Sequence, residues 1–103
     1  MYNNDIQQAK DITSIIHNAD VIYMTRLQSE RLPKQERQKK YSDEFRLTIN
    51  LVQKAKSSLM ILHPLPRVGE IEEAIDKLPQ AFYFQQAKNG LAVRKAILTY
   101  LLC

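Results

Sequence analysis

The stretch Leu59-Met60-Ile61-Leu62-His63-Pro64-Leu65-Pro66-Arg67 decides the fold, because an apolar run ends abruptly in two prolines. A short apolar run bounded by breakers is typical of a buried strand. A residue before proline is driven out of the helical region, so His63 and Leu65 are predicted to be extended. The carbonyls of Pro64 and Leu65 then lack regular partners, with His63 and Arg67 beside them. This pattern predicts either a stiff loop with a surface arginine or a ligand site at the carboxyl end of a strand.

The composition is that of one small globular domain. The chain has 103 residues, 45% of them apolar and 25% charged. Its 15 basic residues are interleaved with 11 acidic ones, for a net charge of +4, which weighs against nucleic acid as the main partner. A single cysteine, Cys103, excludes an internal disulfide and a cysteine-built metal site. We expect a soluble, cytoplasmic protein without a membrane partner, since the N-terminus is polar and no apolar run approaches the ~20 residues of a membrane span.

A second strand is predicted over residues 19–25, which are apolar and β-branched without alternation. Such a run suits a strand buried on both faces of a parallel sheet. Strands that alternate with helices form β-α-β units, so the predicted class is α/β, with a partial Rossmann-like parallel sheet flanked by helices. The chain contains two glycines and no glycine-rich phosphate loop, which excludes nucleotide binding through a Rossmann turn.

Four helices are predicted around these strands. Asp11 is a candidate N-cap for a helix over residues 12–18, and Thr48 for a helix that turns apolar residues to the core. Residues 70–75 predict a short helix. Residues 81–102 predict a long C-terminal amphipathic helix that covers one face of the sheet, with Gly90 as its weak point.

A polar segment from Arg26 to Lys40 follows the strand predicted over residues 19–25, and predicts a long exposed loop or a loop that carries a short helix. We expect this segment to have the highest mobility inside the chain. Arg26 and Gln28 stand just past the carboxyl end of that strand, where α/β folds place ligand groups. A guanidinium there can hold a carboxylate by two parallel hydrogen bonds. A solvated loop charge is an equally good interpretation of Arg26 from position alone.

Four ordered stretches together resemble the aspartate carbamoyltransferase catalytic chain. They are Met24-Thr25-Arg26-Leu27-Gln28-Ser29-Glu30-Arg31, then His63-Pro64-Leu65-Pro66-Arg67, Glu70-Ile71, and Ala81-Phe82-Tyr83-Phe84-Gln85-Gln86-Ala87-Lys88-Asn89-Gly90. The related ornithine enzyme has a cysteine where this chain has Pro64, which favours aspartate as the second substrate. The resemblance implies that residues 1–103 are the C-terminal part of the aspartate-binding domain, without the carbamoyl phosphate domain.

The resemblance implies a site that binds L-aspartate and carbamoyl phosphate without a cofactor or a metal. Arg26 and Gln28 would bind aspartate, while Leu65 and Pro66 would contact carbamoyl phosphate through backbone carbonyls, with a cis Leu65-Pro66 bond. The implied supporting residues, none of them a general base, are Glu30, which would orient Arg26, and Arg31, His63, Pro64, Arg67 and Glu70. Gly69 departs from the acidic or amide residue common in the family.

The resemblance implies a part of a transferase that makes N-carbamoyl-L-aspartate for pyrimidine synthesis. The family forms homotrimers, and the assembly of this chain stays open. A different class of hypothesis is an inactive binding or regulatory module that associates with transferase chains through an uncovered sheet edge. A basic RNA-associated protein is a weaker third hypothesis.

Overall fold

The computed structural model describes residues 5–26 and 46–103. Along the chain these form a 3-10 helix at Ile16–Asn18, β1 at Val21–Tyr23, α1 at Ile49–Gln53, β2 at Met60–Leu62, a second 3-10 helix at Glu73–Lys77 and α2 at Tyr83–Leu102. β1 and β2 pair in parallel, which confirms the predicted α/β class and the long C-terminal helix. The buried core consists of Ile16, Leu47, Val52, Leu59, Ile61, Ile71, Ile75 and Tyr83.

β2 lies at the centre of the described sheet. β1 pairs with one side of it, in the register Ile22 to Ile61, and Ala81 makes a parallel bridge to Ile61 from the other side. Ile61 is 0% exposed and belongs to the core cluster. The prediction that both strands are buried on both faces is wrong for β1, because Val21 and Tyr23 are each 54% exposed. β1 pairs only with β2 among the described residues, so it is the edge strand of this part of the sheet.

The predicted helix over residues 12–18 is wrong in extent. Asp11 Oδ1 does accept the N–H of Ser14 at 2.9 Å, as an N-cap would, but only the last turn, Ile16–Asn18, is helical and it is a 3-10 helix. A helix this short gains few hydrogen bonds for the backbone it orders, and its β-branched isoleucines restrict it further. The chain becomes extended at Ala19 and enters β1.

The cap predicted at Thr48 is confirmed. Its Oγ1 accepts the N–H of Leu51 at 3.3 Å, and Glu72 Oε2 accepts the N–H of Ile49 at 2.9 Å. Two of the free N–H groups at the start of α1 are thereby satisfied. Val52 turns into the core and is 2% exposed.

The helix predicted over residues 70–75 begins later than expected. Ile71 instead forms a parallel bridge with Leu47, in which the Leu47 N–H donates to the Glu70 carbonyl at 2.7 Å and the Glu72 N–H donates to the Leu47 carbonyl at 3.0 Å. Backbone groups committed to this pairing are not available to a helix, and the 3-10 helix therefore starts at Glu73.

α2 runs without interruption through Gly90, but it covers less of the sheet than predicted. Its first turns pack on β2, and Tyr83 is 0% exposed. From Leu91 to Cys103 every residue is exposed. The prediction that the whole helix covers the sheet is therefore wrong for its second half. None of the helices in the described ranges is long and apolar enough to cross a membrane.

Candidate functional site

The Arg26 segment and residues 63–67, which the sequence predicts as ligand sites, both begin where β1 and β2 end, at the carboxyl end of the sheet. Tyr23, the last residue of β1, pairs with Leu62, the last residue of β2, and the Met24 N–H donates to the Leu62 carbonyl at 2.8 Å. Arg26 follows β1 and is exposed. Residues 63–67, which we call the proline turn, follow β2. The structure thus brings the predicted Arg26 and proline-turn segments to the carboxyl ends of neighbouring parallel strands.

The proline turn is more sharply bent than its sequence predicts. The Leu65-Pro66 peptide bond is cis, as the resemblance implies. Leu65 has φ of 49°, so the prediction that it is extended is wrong. The left-handed region costs an L-residue about 1–2 kcal/mol, and contacts in the surrounding structure must hold Leu65 there.

One of these contacts comes from His63, which is 1% exposed. Its Nδ1 accepts the Leu65 N–H at 2.8 Å. The backbone N–H of His63 in turn donates to Gln86 Oε1 at 2.9 Å, and Gln86 Nε2 donates to the Tyr23 hydroxyl at 3.3 Å. The Gln86 amide therefore joins α2, the proline turn and β1.

The other ring nitrogen of His63 faces Glu70. The His63 Nε2 lies 3.5 Å from Glu70 Oε2, which accepts the Val68 N–H at 2.6 Å. Glu70 is 4% exposed. Neither His63 Nε2 nor Glu70 Oε1 has a hydrogen-bond partner among residues 5–26 and 46–103. The carboxylate thus holds the backbone after the turn while it faces the buried imidazole.

Arg67 anchors the turn from its other end. Its guanidinium binds the Asp76 carboxylate through both terminal nitrogens, with Nη2 at 2.6 Å from Oδ2, and Nη1 donates to the Tyr83 hydroxyl at 3.3 Å. The Tyr83 hydroxyl donates to Asp76 Oδ1. Arg67 is therefore a structural anchor, with a side chain only 18% exposed, and the interpretation as a surface arginine is wrong.

Arg67, Asp76 and Tyr83 form a cluster in which each group alters the pKa of the others. The hydrogen bond from Arg67 lowers the pKa of Asp76 and raises the pKa of Arg67 itself. Burial, followed by the hydrogen bond to Asp76, raises the pKa of Tyr83 to about 12. At neutral pH the cluster consequently holds one carboxylate, one guanidinium and a neutral phenol.

The carbonyls of the proline turn are candidate acceptors for a ligand. No donor in the described ranges makes a hydrogen bond to the carbonyls of Pro64, Leu65 or Pro66. Carbonyls that lack an internal partner are available to N–H groups of a ligand. The arrangement can bind an amide in a defined direction.

Sequence reasoning missed three residues that shape the site: Gln86, Asp76 and Tyr83. Tyr83 and Gln86 both lie in one of the quoted motifs, and that motif was the available signal. Gln28, Glu30 and Arg31 lie outside the described residues, so their roles stay predictions. Within residues 5–26 and 46–103, no three histidine, cysteine or acidic side chains form a group suited to a metal ion.

Comparison with known proteins gives consistent matches. The family model of the aspartate/ornithine carbamoyltransferase Asp/Orn-binding domain matches residues 1–101. The aspartate carbamoyltransferase catalytic subunit of Alkaliphilus oremlandii is 45% identical over 101 residues, 98% of this chain and 30% of that protein. The catalytic subunit of Methanopyrus kandleri is 42% identical over 99 residues, 95% of this chain and 32% of that protein.

Solved structures agree with the sequence matches. The catalytic subunit of M. jannaschii aspartate transcarbamoylase superposes with a TM-score of 0.78 at 38% identity and covers 90% of this chain and 30% of its own. The Trypanosoma cruzi aspartate transcarbamoylase in complex with carbamoyl phosphate and aspartate gives 0.73 at 28% identity, and covers 87% of this chain and 28% of its own.

The chain spans about a third of the length of the relatives it matches. Those relatives are catalytic subunits, which favours the transferase hypothesis over an independent binding module. The model of the Asp/Orn-binding domain matches 101 of the 103 residues, and the fold superposes on the solved relatives, so the chain belongs to the aspartate/ornithine carbamoyltransferase family.

Proposed function

We propose that this chain supplies the aspartate side of an aspartate carbamoyltransferase site, in a protein that converts carbamoyl phosphate and L-aspartate to N-carbamoyl-L-aspartate and phosphate. The observation that carries the proposal is the proline turn, whose carbonyls are without donors in the described ranges, at the same sheet edge as Arg26. We further propose that residues 1–103 are the C-terminal part of the aspartate-binding domain. The carbamoyl phosphate domain would then belong to polypeptide outside this chain.

The two substrates would meet at this sheet edge. The amide of carbamoyl phosphate would donate to the carbonyls at Leu65 and Pro66. The Arg26 guanidinium, with Gln28 beside it, would hold a carboxylate of aspartate by a pair of charge-assisted hydrogen bonds. The neutral aspartate amine then attacks the carbamoyl carbon and a C–N bond forms. The C–O bond to phosphate breaks with its electron pair leaving on phosphate, and the amine loses one proton to the departing phosphate.

The proposed chemistry needs no cofactor from this chain. A pair of substrates held in the right geometry gains most of its rate from proximity and from charge stabilisation in the transition state. This chain would contribute the positioning of aspartate and of the carbamoyl amide. Stabilisation of the leaving phosphate would come from groups outside residues 1–103. The 103-residue chain alone should therefore show no measurable turnover.

The direct test is a graft. In the Alkaliphilus oremlandii catalytic subunit, the segment that matches this chain at 45% identity is replaced by residues 1–103, giving what we call the grafted subunit. Formation of carbamoyl aspartate by the grafted subunit is the expected result. A grafted subunit that unfolds cooperatively but makes no carbamoyl aspartate contradicts the proposal. Turnover by the 103-residue chain alone contradicts the claim that groups outside residues 1–103 are required.

Arg26 gives the sharpest variant of this test. Loss of hydrogen bonds between charged groups costs about 1.5–3 kcal/mol each, so Arg26→Ala should lower kcat/KM for aspartate at least about a hundredfold. Arg26→Lys keeps the charge but loses the planar fork, and should also be strongly impaired. The KM for carbamoyl phosphate and the melting temperature should change little. Arg46→Ala, at a second exposed arginine, is the matched control.

A further inference from the structure

The buried imidazole of His63 contacts the backbone of its own turn. We propose that His63 is a positioning residue that holds Leu65 in its left-handed conformation by an imidazole counterpart of an Asx turn, and so sets the direction of the Leu65 carbonyl toward the carbamoyl amide. The inference rests on the proposed function for the identity of the ligand. Its geometry stands on the described residues alone.

The hydrogen bond has the pattern of an Asx turn. In such a turn, the side-chain oxygen of Asn or Asp accepts the backbone N–H two residues further on. His63 Nδ1 accepts the N–H of Leu65, also two residues on, at 2.8 Å. Nδ1 of histidine and Oδ1 of asparagine are both bonded to Cγ, so they reach the same place. Pro64, between them, has its φ locked by its ring.

The pattern requires one tautomer of His63. A nitrogen that accepts a hydrogen bond carries no proton, so the neutral ring holds its proton on Nε2. Nε2 is the nitrogen that lies 3.5 Å from the Glu70 carboxylate, a distance at which the negative charge favours an N–H. Glu70 Oε2 also accepts the Val68 N–H, so the same carboxylate faces the ring and holds the chain after the turn.

The backbone of His63 itself is also held by a hydrogen bond. The His63 N–H donates to Gln86 Oε1 at 2.9 Å, which ties the start of the turn to α2. The residue is 1% exposed, so surrounding atoms restrict rotation of the ring. The Leu65 N–H therefore donates to an acceptor, His63 Nδ1, whose position is already determined.

If His63 only fills space in the core, the larger glutamine should replace it better. If its Nδ1 serves as the acceptor for the Leu65 N–H, asparagine should replace it better. Glutamine is nearer to histidine in size, but its carbonyl lies one bond further from the backbone than Nδ1. Asparagine is smaller, but it carries an oxygen at the right place and forms Asx turns. If His63 positions Leu65, then His63→Asn preserves the turn and His63→Gln does not.

The structural arm of the test uses the 103-residue chain and NMR. The His63 ring is expected to show the nitrogen shifts of a neutral imidazole protonated on Nε2. The Leu65 amide is expected to be protected from hydrogen exchange in the unaltered chain and in His63→Asn, and to lose at least about tenfold in protection in His63→Gln, the equivalent of one hydrogen bond. A proton on Nδ1, or an unprotected Leu65 amide in the unaltered chain, overturns the inference.

The kinetic arm uses the grafted subunit. His63→Gln is expected to raise KM for carbamoyl phosphate by about tenfold, with a smaller change in KM for aspartate, while His63→Asn stays within about threefold of the unaltered protein. Equal impairment of both variants overturns the inference. If the grafted subunit with His63 intact is inactive, the proposed function fails for this chain, and the NMR arm still decides whether His63 positions the turn.

Discussion

The proline turn and the second half of α2, residues 91–102, differ in where their partners lie. The turn is held by side chains of this chain: Asp76, Tyr83 and Gln86 each make a hydrogen bond or an ion pair with one of its residues, and Glu70 accepts the Val68 N–H just after it. The second half of α2 is mostly apolar, yet every one of its residues is exposed. The described part of the chain therefore determines the shape of the turn but supplies no cover for the end of the helix.

The apolar residues at the end of α2 are exposed, although an apolar helix face is normally buried against another element. The relatives are about three times longer than this chain, and in the longer protein proposed above the remaining polypeptide is the expected cover for residues 91–102. The turn, in contrast, should keep its geometry wherever this chain folds.

The largest expected effect contrasts a core residue with a residue at the end of α2. Ile75 is 0% exposed and Leu98 is 57% exposed. Ile75→Ala should lower the free energy of unfolding of the chain by about 2–5 kcal/mol, since it leaves a cavity. Leu98→Ala should change it by less than about 0.5 kcal/mol. Urea unfolding of both variants measures the difference.

The same Leu98→Ala substitution in the grafted subunit tests whether other parts of that subunit cover the end of α2. If other parts of the subunit cover the end of α2, Leu98→Ala should lower its melting temperature by several degrees, although it has little effect in the chain alone. Equal losses for Ile75→Ala and Leu98→Ala in the chain alone would contradict the contrast between the two regions.

A smaller effect is expected from the ion pair that anchors the turn. Asp76→Asn weakens a charge-assisted hydrogen bond and should cost about 1.5–3 kcal/mol of the free energy of unfolding. Because the folded pKa of Asp76 is lowered, its contribution is present at neutral pH and is lost as the pH falls through that folded pKa. Asp76→Asn should therefore flatten the acid side of a plot of stability against pH.

Asp20 supplies the matched control for this prediction. It pairs with Lys56 at 2.7 Å, but its side chain is 81% exposed. Exposed pairs contribute little, so Asp20→Asn should leave both the stability and its pH dependence nearly unchanged. An Asp20→Asn variant that behaves like Asp76→Asn would show that the anchor of the turn is an ordinary surface pair.

The smallest expected effects are opposite changes in the free energy of unfolding when each of the two glycines is replaced by alanine. Gly90 lies inside α2, and an added Cβ would meet Arg94 atoms at 3.8 Å or more, an ordinary contact. Gly90→Ala should raise the free energy of unfolding by about 0.5–1 kcal/mol, as expected in a helix. Gly69, next to the turn, has φ of +85°, so Gly69→Ala should lower it by about 1 kcal/mol although no atom lies within 4 Å. Thermal unfolding compares the two, and the same sign for both would contradict this account.

The sequence by itself determined the class of the fold, the order of the strands, the Thr48 cap and the position of the proline turn. These features depend on patterns within a few residues: an apolar run, a cap three residues before its donor, and prolines that stop a strand. The ordered motifs also led to the family, which the comparisons confirm.

Only the tertiary structure decided which side chains meet at the turn. Arg67 binds Asp76 and Tyr83, nine and sixteen residues away, and His63 binds Gln86 twenty-three residues away, at spacings that no local pattern specifies. The sequence also did not predict that β1 is exposed, because burial depends on which elements cover a strand and not on the composition of the strand itself. Leu65 adopts a left-handed φ because contacts with its surroundings outweigh the local preference for an extended residue before proline.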